Sequence, residues 1–459
     1  MGDVELVPDR SGVALAKRRE GIDYDATPES LRATAVEPGD PDYPRQRSTY
    51  LRGGSPGLIL NPQTVEQVVE ALEFAKQQRV PLGVRSAGHG LSGRSTNDGG
   101  IVVSVAALNS IEVLDQATRR FRTGPGAHWS QVATELEPYG WSLTSGDYGG
   151  VGVGGLATAG GIGWLARAHS LTIDHLRAVD IVVADGRLVH ASENENADLF
   201  WGVRGAGANF GIVVSFEFEA DEQKNSVGYA QFALDATDVA GVLERWGAAV
   251  EAATRDVTSA LILQRGTPPV AHVMAVVNSD DPDTILDRLQ PLADIAPLLQ
   301  QNVRLMPYAE IMANDRGAGS QNGRGEPHAR SGFIDHITPA FARASADALA
   351  SGGLHWFQMR AVGGAVSDVP PDAMAYSHRS ANFSLVAMGA DDDRLNSAWA
   401  GLHVHMSGLY LSFETGLHEG RIADAFPPKT LARLSELKRE WDPTNVFRDN
   451  FNIAANAVR

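Results

Sequence analysis

The spacing of apolar and polar positions changes several times along the chain, and the first regular stretch begins after Asn61. Val65, Val68, Val69, Leu72 and Ala75 recur on one helical face, and Thr64 with Gln67 has capping-box spacing, so a helix is expected from residue 65. Apolar runs at 80–84 and 101–105 read as strands, the second of them buried. Residues 111–114 and 119–122 alternate across a turn and predict a hairpin, and 129–136 has helical spacing ended by Pro138 and Gly140. A strand at 176–184 turns at Asp185-Gly186 into 188–191, and another follows at 212–218.

Composition turns polar around 221–225, where a domain boundary is placed. Beyond it, strands at 229–234, 260–264, 271–278, 355–362 and 382–388 alternate with helices, which predicts an antiparallel α+β domain. A helix from Pro428 leads into the tail, and no internal repeat is present. The expected division is residues 1–220 with a Pro-rich, charged, surface-wrapping arm at 1–50, then 221–425, then a C-terminal segment 426–459.

Composition narrows the function. The 459 residues allow two or three domains with buried cores. A formal net charge of −17 repels nucleic acid and anionic membrane surfaces, so neither is expected as a partner. There is no cysteine, which excludes disulfides, thiolate metal sites and thiol nucleophiles. Residues 1–25 carry no apolar signal region and no run has bilayer-spanning length, so the expectation is a cytoplasmic enzyme, monomeric or homodimeric. His403 and His405 lack a third ligand, and Gly-x-Ser-x-Gly is absent, which sets aside metal and serine-hydrolase chemistry.

The 48 glycines gather in loops. Gly150-x-Gly152-x-x-Gly155 matches a dinucleotide fingerprint literally, with Asp174 downstream, but that turn requires a strand before it and a helix after it. Residues 141–149 make a poor strand, and Gly160 to Gly163 continue the glycines where a helix core belongs. A different use fits better. Backbone without Cβ atoms can approach a pyrophosphate and a flat ring closely, and consecutive N–H groups make an anion-binding concavity. The loop Ser86–Gly93 offers a second such surface.

Arg85-Ser86-Ala87-Gly88-His89, the glycine run, Asp198-Leu-Phe-Trp201 through Arg204-Gly205 to Asn209-Phe210-Gly211, and Asp442-Pro-Thr-Asn445-Val-Phe447 with Asn450 occur together and in order. The chain thereby resembles the FAD-linked oxidases of the berberine-bridge-enzyme-like family, over most of residues 55–220 and the tail. The middle region resembles it chiefly through Gly363-Gly364 and His378-Arg379. The resemblance implies a PCMH-type FAD-binding domain, a substrate domain whose antiparallel sheet is flanked by helices, and a tail returning to the FAD domain. It implies FAD bonded covalently at its 8α carbon to His89, two-electron oxidation of an organic substrate, and O2 as acceptor. Arg85, Ser86, Ala87, Gly88, Gly90, Leu91, Gly152, Gly154 and Gly155 are then cofactor-binding, with Asn445 and Asn450 capping the isoalloxazine.

Many relatives add a second bond from a cysteine. Tyr148 stands at that position here, so a single covalent anchor is expected, with Tyr148 on the flavin, closing the pocket, or simply at the surface. Val151 falls where oxidases of the family keep room for oxygen. For the base, the resemblance points to Tyr410, in Tyr410-Leu-Ser412 where relatives have Tyr-x-Asn, with Tyr376 as the fallback. Gln358-x-Arg360 lies on the strand that faces the flavin, and Arg360 near the phenol is expected to lower its pKa. The expected reaction is oxidation of an alcohol, amine or activated C–H of a small natural-product intermediate with release of H2O2. A simple sugar, a heterocyclic amine, or a non-redox cyclase or binding role on the same fold stand as alternatives.

Overall fold

The computed structural model describes residues 10–264, 266–315, 328–416, 420–448 and 451–454. Three parallel strands, Leu58–Leu60, Ile101–Ser104 and Leu82–Arg85 in that spatial order, carry the helix Val65–Gln77. Every residue of the central strand is buried, as its unbroken apolar run requires. At the helix start Thr64 Oγ1 accepts from Gln67 N (3.3 Å), but the Gln67 side chain accepts from Gln63 N (2.7 Å), so the reciprocal bond closes one residue earlier than expected. The described part of the arm is built into this unit: Ile22, Tyr24, Leu31 and Ala35 pack into its core.

A five-stranded antiparallel sheet follows, ordered Ile111–Asp115, Arg120–Thr123, Gly211–Glu219, Leu176–Val183, Leu188–Ser192. Both expected hairpins are in it. A seven-stranded antiparallel sheet makes up the second half of the fold. Its order is Leu298–Met306, Val227–Asp235, Val270–Val277, Val257–Gln264, Trp356–Ala361, Phe383–Gly389, His328–Ile334. One face packs on the helices Val239–Ala252, Pro282–Ala293, Pro339–Ala350 and Asp392–His403 through Phe232, Leu261, Val273, Phe357 and Leu385. Side chains alternate along a strand, so Gln358 and Arg360 lie on the opposite face, toward the first half of the chain.

The two outermost strands of this sheet are absent from the sequence expectation. Leu298–Met306 is exposed at eight of nine positions, so no buried face imposes an alternation on it. His328–Ile334 is buried from Ala329 onward but carries Arg330, Ser331 and Gly332, which break the apolar run.

The glycine run holds one correction. Val153–Ala159 is a helix with Gly152 as its N-cap, where the glycines argued against one. The strand before it is only Trp141–Ser142, paired antiparallel with Asp221–Glu222, so no parallel dinucleotide unit forms. Asp174 is likewise engaged elsewhere: Arg379 Nη1 and Nη2 donate to its two carboxylate oxygens at 2.8 Å each, joining the two halves of the fold.

The tail turns around a buried ion pair. Lys438 and Asp442 side chains are fully buried, and Lys438 Nζ donates to Asp442 Oδ2 (2.7 Å), Asn209 O (2.7 Å) and Phe447 O (2.8 Å). Asp442 in turn accepts from Val446 N and Phe447 N, which curls 442–447 into its loop. Replacing Lys438 with Met leaves that carboxylate buried and unpaired, so Lys438→Met is expected to lose ~3–5 kcal/mol of stability. Urea unfolding checks this; an unchanged midpoint contradicts it.

Candidate functional site

A long cavity runs between the two glycine loops and the second half of the chain, with about 1410 Å³ free of protein atoms including its mouth. The strand Leu82–Arg85 ends at its rim, so residues 86–90 form one wall. Ser86 Oγ donates to Pro125 O (2.6 Å), and Gly88, at φ +73, turns its carbonyl to accept from Tyr50 N (2.9 Å). The opposing wall is Val151, Gly152, Gly154 and Gly155. The walls are nearly in contact, since a Cβ on Gly152 would come 2.1 Å from Ser86 Oγ.

Which groups face a ligand differs between the walls. Val153 N and Gly154 N already donate to Ala127 O (2.9 Å) and Pro125 O (3.0 Å), so these amides are spent on the fold. The amides of Ala87, Gly88 and Gly90 donate to no acceptor among the described residues, and all three line the cavity. Gly152 N and Gly155 N likewise donate to no acceptor among the described residues, so both walls keep amides that can meet an anion. A Cβ at Gly155 or Gly207 would meet nothing within 4 Å, so both glycines open onto free space. Arg94 adds a cation to the wall; burial lowers its pKa to about 10, which leaves it charged at neutral pH, and it stacks on Phe451 at 3.9 Å. A cavity with bare backbone walls, unspent amides and one arginine suits a flat ring joined to a pyrophosphate.

His89 lines this cavity between two tyrosines: its ring stacks on Tyr50 (centroids 4.9 Å) and tilts against Tyr148 (5.4 Å). Tyr410 lines the cavity from the other half of the chain, together with Leu411, Ser412 and Phe413. It precedes a short 3-10 turn, Leu411–Phe413, and is not on a strand. Gly161 N donates to its Oη at 3.1 Å, and its ring edge lies against Gly160.

The expected lowering of the Tyr410 pKa does not occur. Burial raises it and outweighs the Gly161 N–H, Ser412 and Arg360, which pull the other way, while Asp147 adds to the rise. Arg360 is largely neutralised, because its Nε donates to Asp147 Oδ2 at 2.8 Å. The fallback Tyr376 packs behind Gly160 and Gly205, and it is not among the cavity-lining residues. Burial drives its pKa far upward, and among the described residues its Oη has no hydrogen-bond partner.

Several other expected cofactor residues sit outside the cavity lining. Arg85 is buried and donates from Nη1 to Gln46 O (2.5 Å), tying the arm to the loop. Leu91 and Asn445 do not line the cavity, and Asn445 takes the strained φ of +55 in the 442–447 loop. Asn450 lies outside the described residues. From the tail, Phe451 reaches the cavity instead. Asp147, Arg94 and Phe413 also line it and were missed; only the position of Asp147 beside Tyr148 and of Arg94 in the His89 loop hinted at them.

Among the described residues no three His or acidic side chains could hold a metal, and no helix is long and apolar enough to cross a membrane. Residues 56–192 match the FAD binding domain family, and residues 424–454 match the berberine and berberine-like family. The chain is 30% identical over 443 residues to the FAD-linked oxidoreductase tazG of Aspergillus terreus, covering 88% of each. It is 27% identical over 457 residues to the (R)-6-hydroxynicotine oxidase of Paenarthrobacter nicotinovorans, covering 93% of this chain and 98% of that one. The solved structure of a chitooligosaccharide oxidase superposes with a TM-score of 0.81 at 26% identity, covering 92% of this chain and 97% of that one.

Proposed function

The chain belongs to the FAD-linked oxidoreductases of the berberine-bridge-enzyme-like family, and on that footing we propose an oxidase that anchors its flavin through His89 alone and uses Tyr410 as base. The proposed substrate is a small organic alcohol or amine. The observation that carries the reading is that His89 and Tyr410 line one cavity from opposite halves of the chain. When bound, the flavin supplies a two-electron acceptor that takes hydride from a substrate carbon and passes the electrons to O2, giving H2O2.

The rest belongs to the protein. His89 fixes the ring in place, with Tyr50 and Tyr148 limiting how its imidazole can turn. Ala87, Gly88 and Gly90 offer amides to the pyrophosphate. Val151 and Leu156 cover apolar stretches of the wall and exclude water. Tyr410 Oη, held by Gly161 N–H, receives the O–H or N–H proton of the substrate. With no cysteine in the chain, a thiol anchor has no residue to form from.

Two measurements test this. Enzyme bleached with dithionite under nitrogen is expected to regain its yellow colour on admitting air, with release of H2O2; lasting bleaching overturns the oxidase reading. The pH profile tests the base. The reactive form is the phenolate, whose fraction grows about tenfold per pH unit below its pKa, and the pKa is raised above the ordinary ~10. Turnover is therefore expected to climb steadily from pH 7 to 9 without a plateau, and a profile level across that range contradicts Tyr410 as base.

A further inference from the structure

We infer that Asp147, held in place by Arg360 and Gln358, selects the substrate by accepting a hydrogen bond from an N–H or O–H donor on a small, largely apolar molecule. The inference rests on the oxidase reading of the same cavity.

Asp147 lies on a loop that cannot swing freely. Asn314 Nδ2 donates to Asp147 O (2.9 Å) and Asn314 Oδ1 accepts from Gly149 N (2.9 Å), stitching the loop to the second half of the fold. Its carboxylate Oδ2 accepts from Arg360 Nε (2.8 Å) and from Gln358 Nε2 (3.4 Å). Arg360 Nη2 donates to Gln358 Oε1 (3.1 Å), and the guanidinium lies over Phe413 at 4.6 Å. Gln358 and Arg360 are 7% and 9% exposed, whereas the Asp147 side chain is 28% exposed and lines the cavity. The acid is the member of the cluster that a substrate meets.

An arginine and a carboxylate that only join two parts of a fold gain most from a two-pronged contact. Here a single oxygen takes both donors. Among the described residues nothing donates to Asp147 Oδ1, and Arg360 Nη1 is buried with no acceptor. The open Oδ1 of a carboxylate on a cavity wall is the acceptor that a substrate donor completes. Because Arg360 partly balances the charge of Asp147, the pair can accept from a neutral donor as well as from an ammonium.

The neighbouring surface limits what carries that donor. Val151, Leu156, Ile162, Leu411 and Phe413 line the same cavity as Asp147. An oligosaccharide presents hydroxyls around every ring, each of which needs a partner once dehydrated. Among the described residues Asp147 is the only carboxylate in this lining, which is otherwise mostly apolar, and that fits a ring with a single donor group.

The test uses the holoenzyme and its Asp147→Asn variant, titrated without oxygen with 2-phenylpyrrolidine and with cellobiose while flavin absorbance is followed. Asparagine keeps an oxygen for Arg360, so flavin content is expected to stay as in the parent, while the thermal midpoint drops because a neutral side chain replaces the counter-charge of a buried guanidinium. The amine is expected to bind the parent roughly tenfold or more tightly than cellobiose, and Asp147→Asn to weaken the amine by roughly tenfold, about 1.4 kcal/mol. Cellobiose binding as tightly as the amine, no response to the amine, or an unaltered affinity in Asp147→Asn would each overturn the inference. So would loss of flavin in Asp147→Asn, which would mark the pair as a structural tie. Failure of the oxidase reading itself appears separately, as dithionite-reduced enzyme that air does not reoxidise.

Discussion

Tyr410→Phe is expected to lower kcat by ~10²–10⁴-fold, the usual contribution of a positioned proton acceptor. The phenyl ring keeps its packing against Phe413 (4.9 Å) and Gly160, and only Oη is lost. Flavin content and the visible spectrum should therefore match the parent, and KM should move little, because the Oη acts chiefly as the proton leaves. The rise of turnover between pH 7 and 9 should disappear with it. Stopped-flow measurement of flavin reduction by substrate reads this step directly. A reduction rate within about threefold of the parent would remove Tyr410 from the chemistry, since threefold is under 1 kcal/mol of barrier.

His89→Ala carries the second large effect, and it falls on attachment. The unspent amides of Ala87, Gly88 and Gly90, the Arg94 cation and the open wall at Gly155 and Gly207 do not depend on the imidazole. FAD is thus expected to remain bound in His89→Ala, but to leave on acid precipitation. The untethered ring loses the electron withdrawal of the imidazole link and its fixed orientation, so kcat is expected to fall about tenfold or more, upward of ~1.4 kcal/mol in barrier. Redox titration should show a lower flavin potential. Acid-stable flavin in His89→Ala would assign the anchor to another residue.

Much of this site was legible in the sequence because its parts are local. His89 and its glycines lie within one loop, and the glycine run can be read without knowing its neighbours. Apolar alternation located five strands of the larger sheet, since each has one face pressed on helices through residues such as Phe232 and Phe357. What stayed hidden depends on contacts distant along the chain. Asp147 and Arg360 meet across 213 positions, and the burial of Tyr410, which outweighs the lowering that Arg360 still exerts, was equally out of reach. The spending of Val153 N and Gly154 N on the 125–127 segment was equally invisible, and it narrows the free amides of that wall to Gly152 and Gly155. Asn445 belongs to a motif that was recognised, but its role follows the curl around Lys438 and Asp442 rather than a place at the flavin.

A single anchor at His89 is the central claim, and peptide mapping of acid-denatured parent enzyme tests it most directly. After proteolysis, flavin fluorescence and mass are predicted on the peptide containing His89, with the peptide containing Tyr148 unmodified. Flavin on any other peptide, or none retained by the protein at all, would contradict the account.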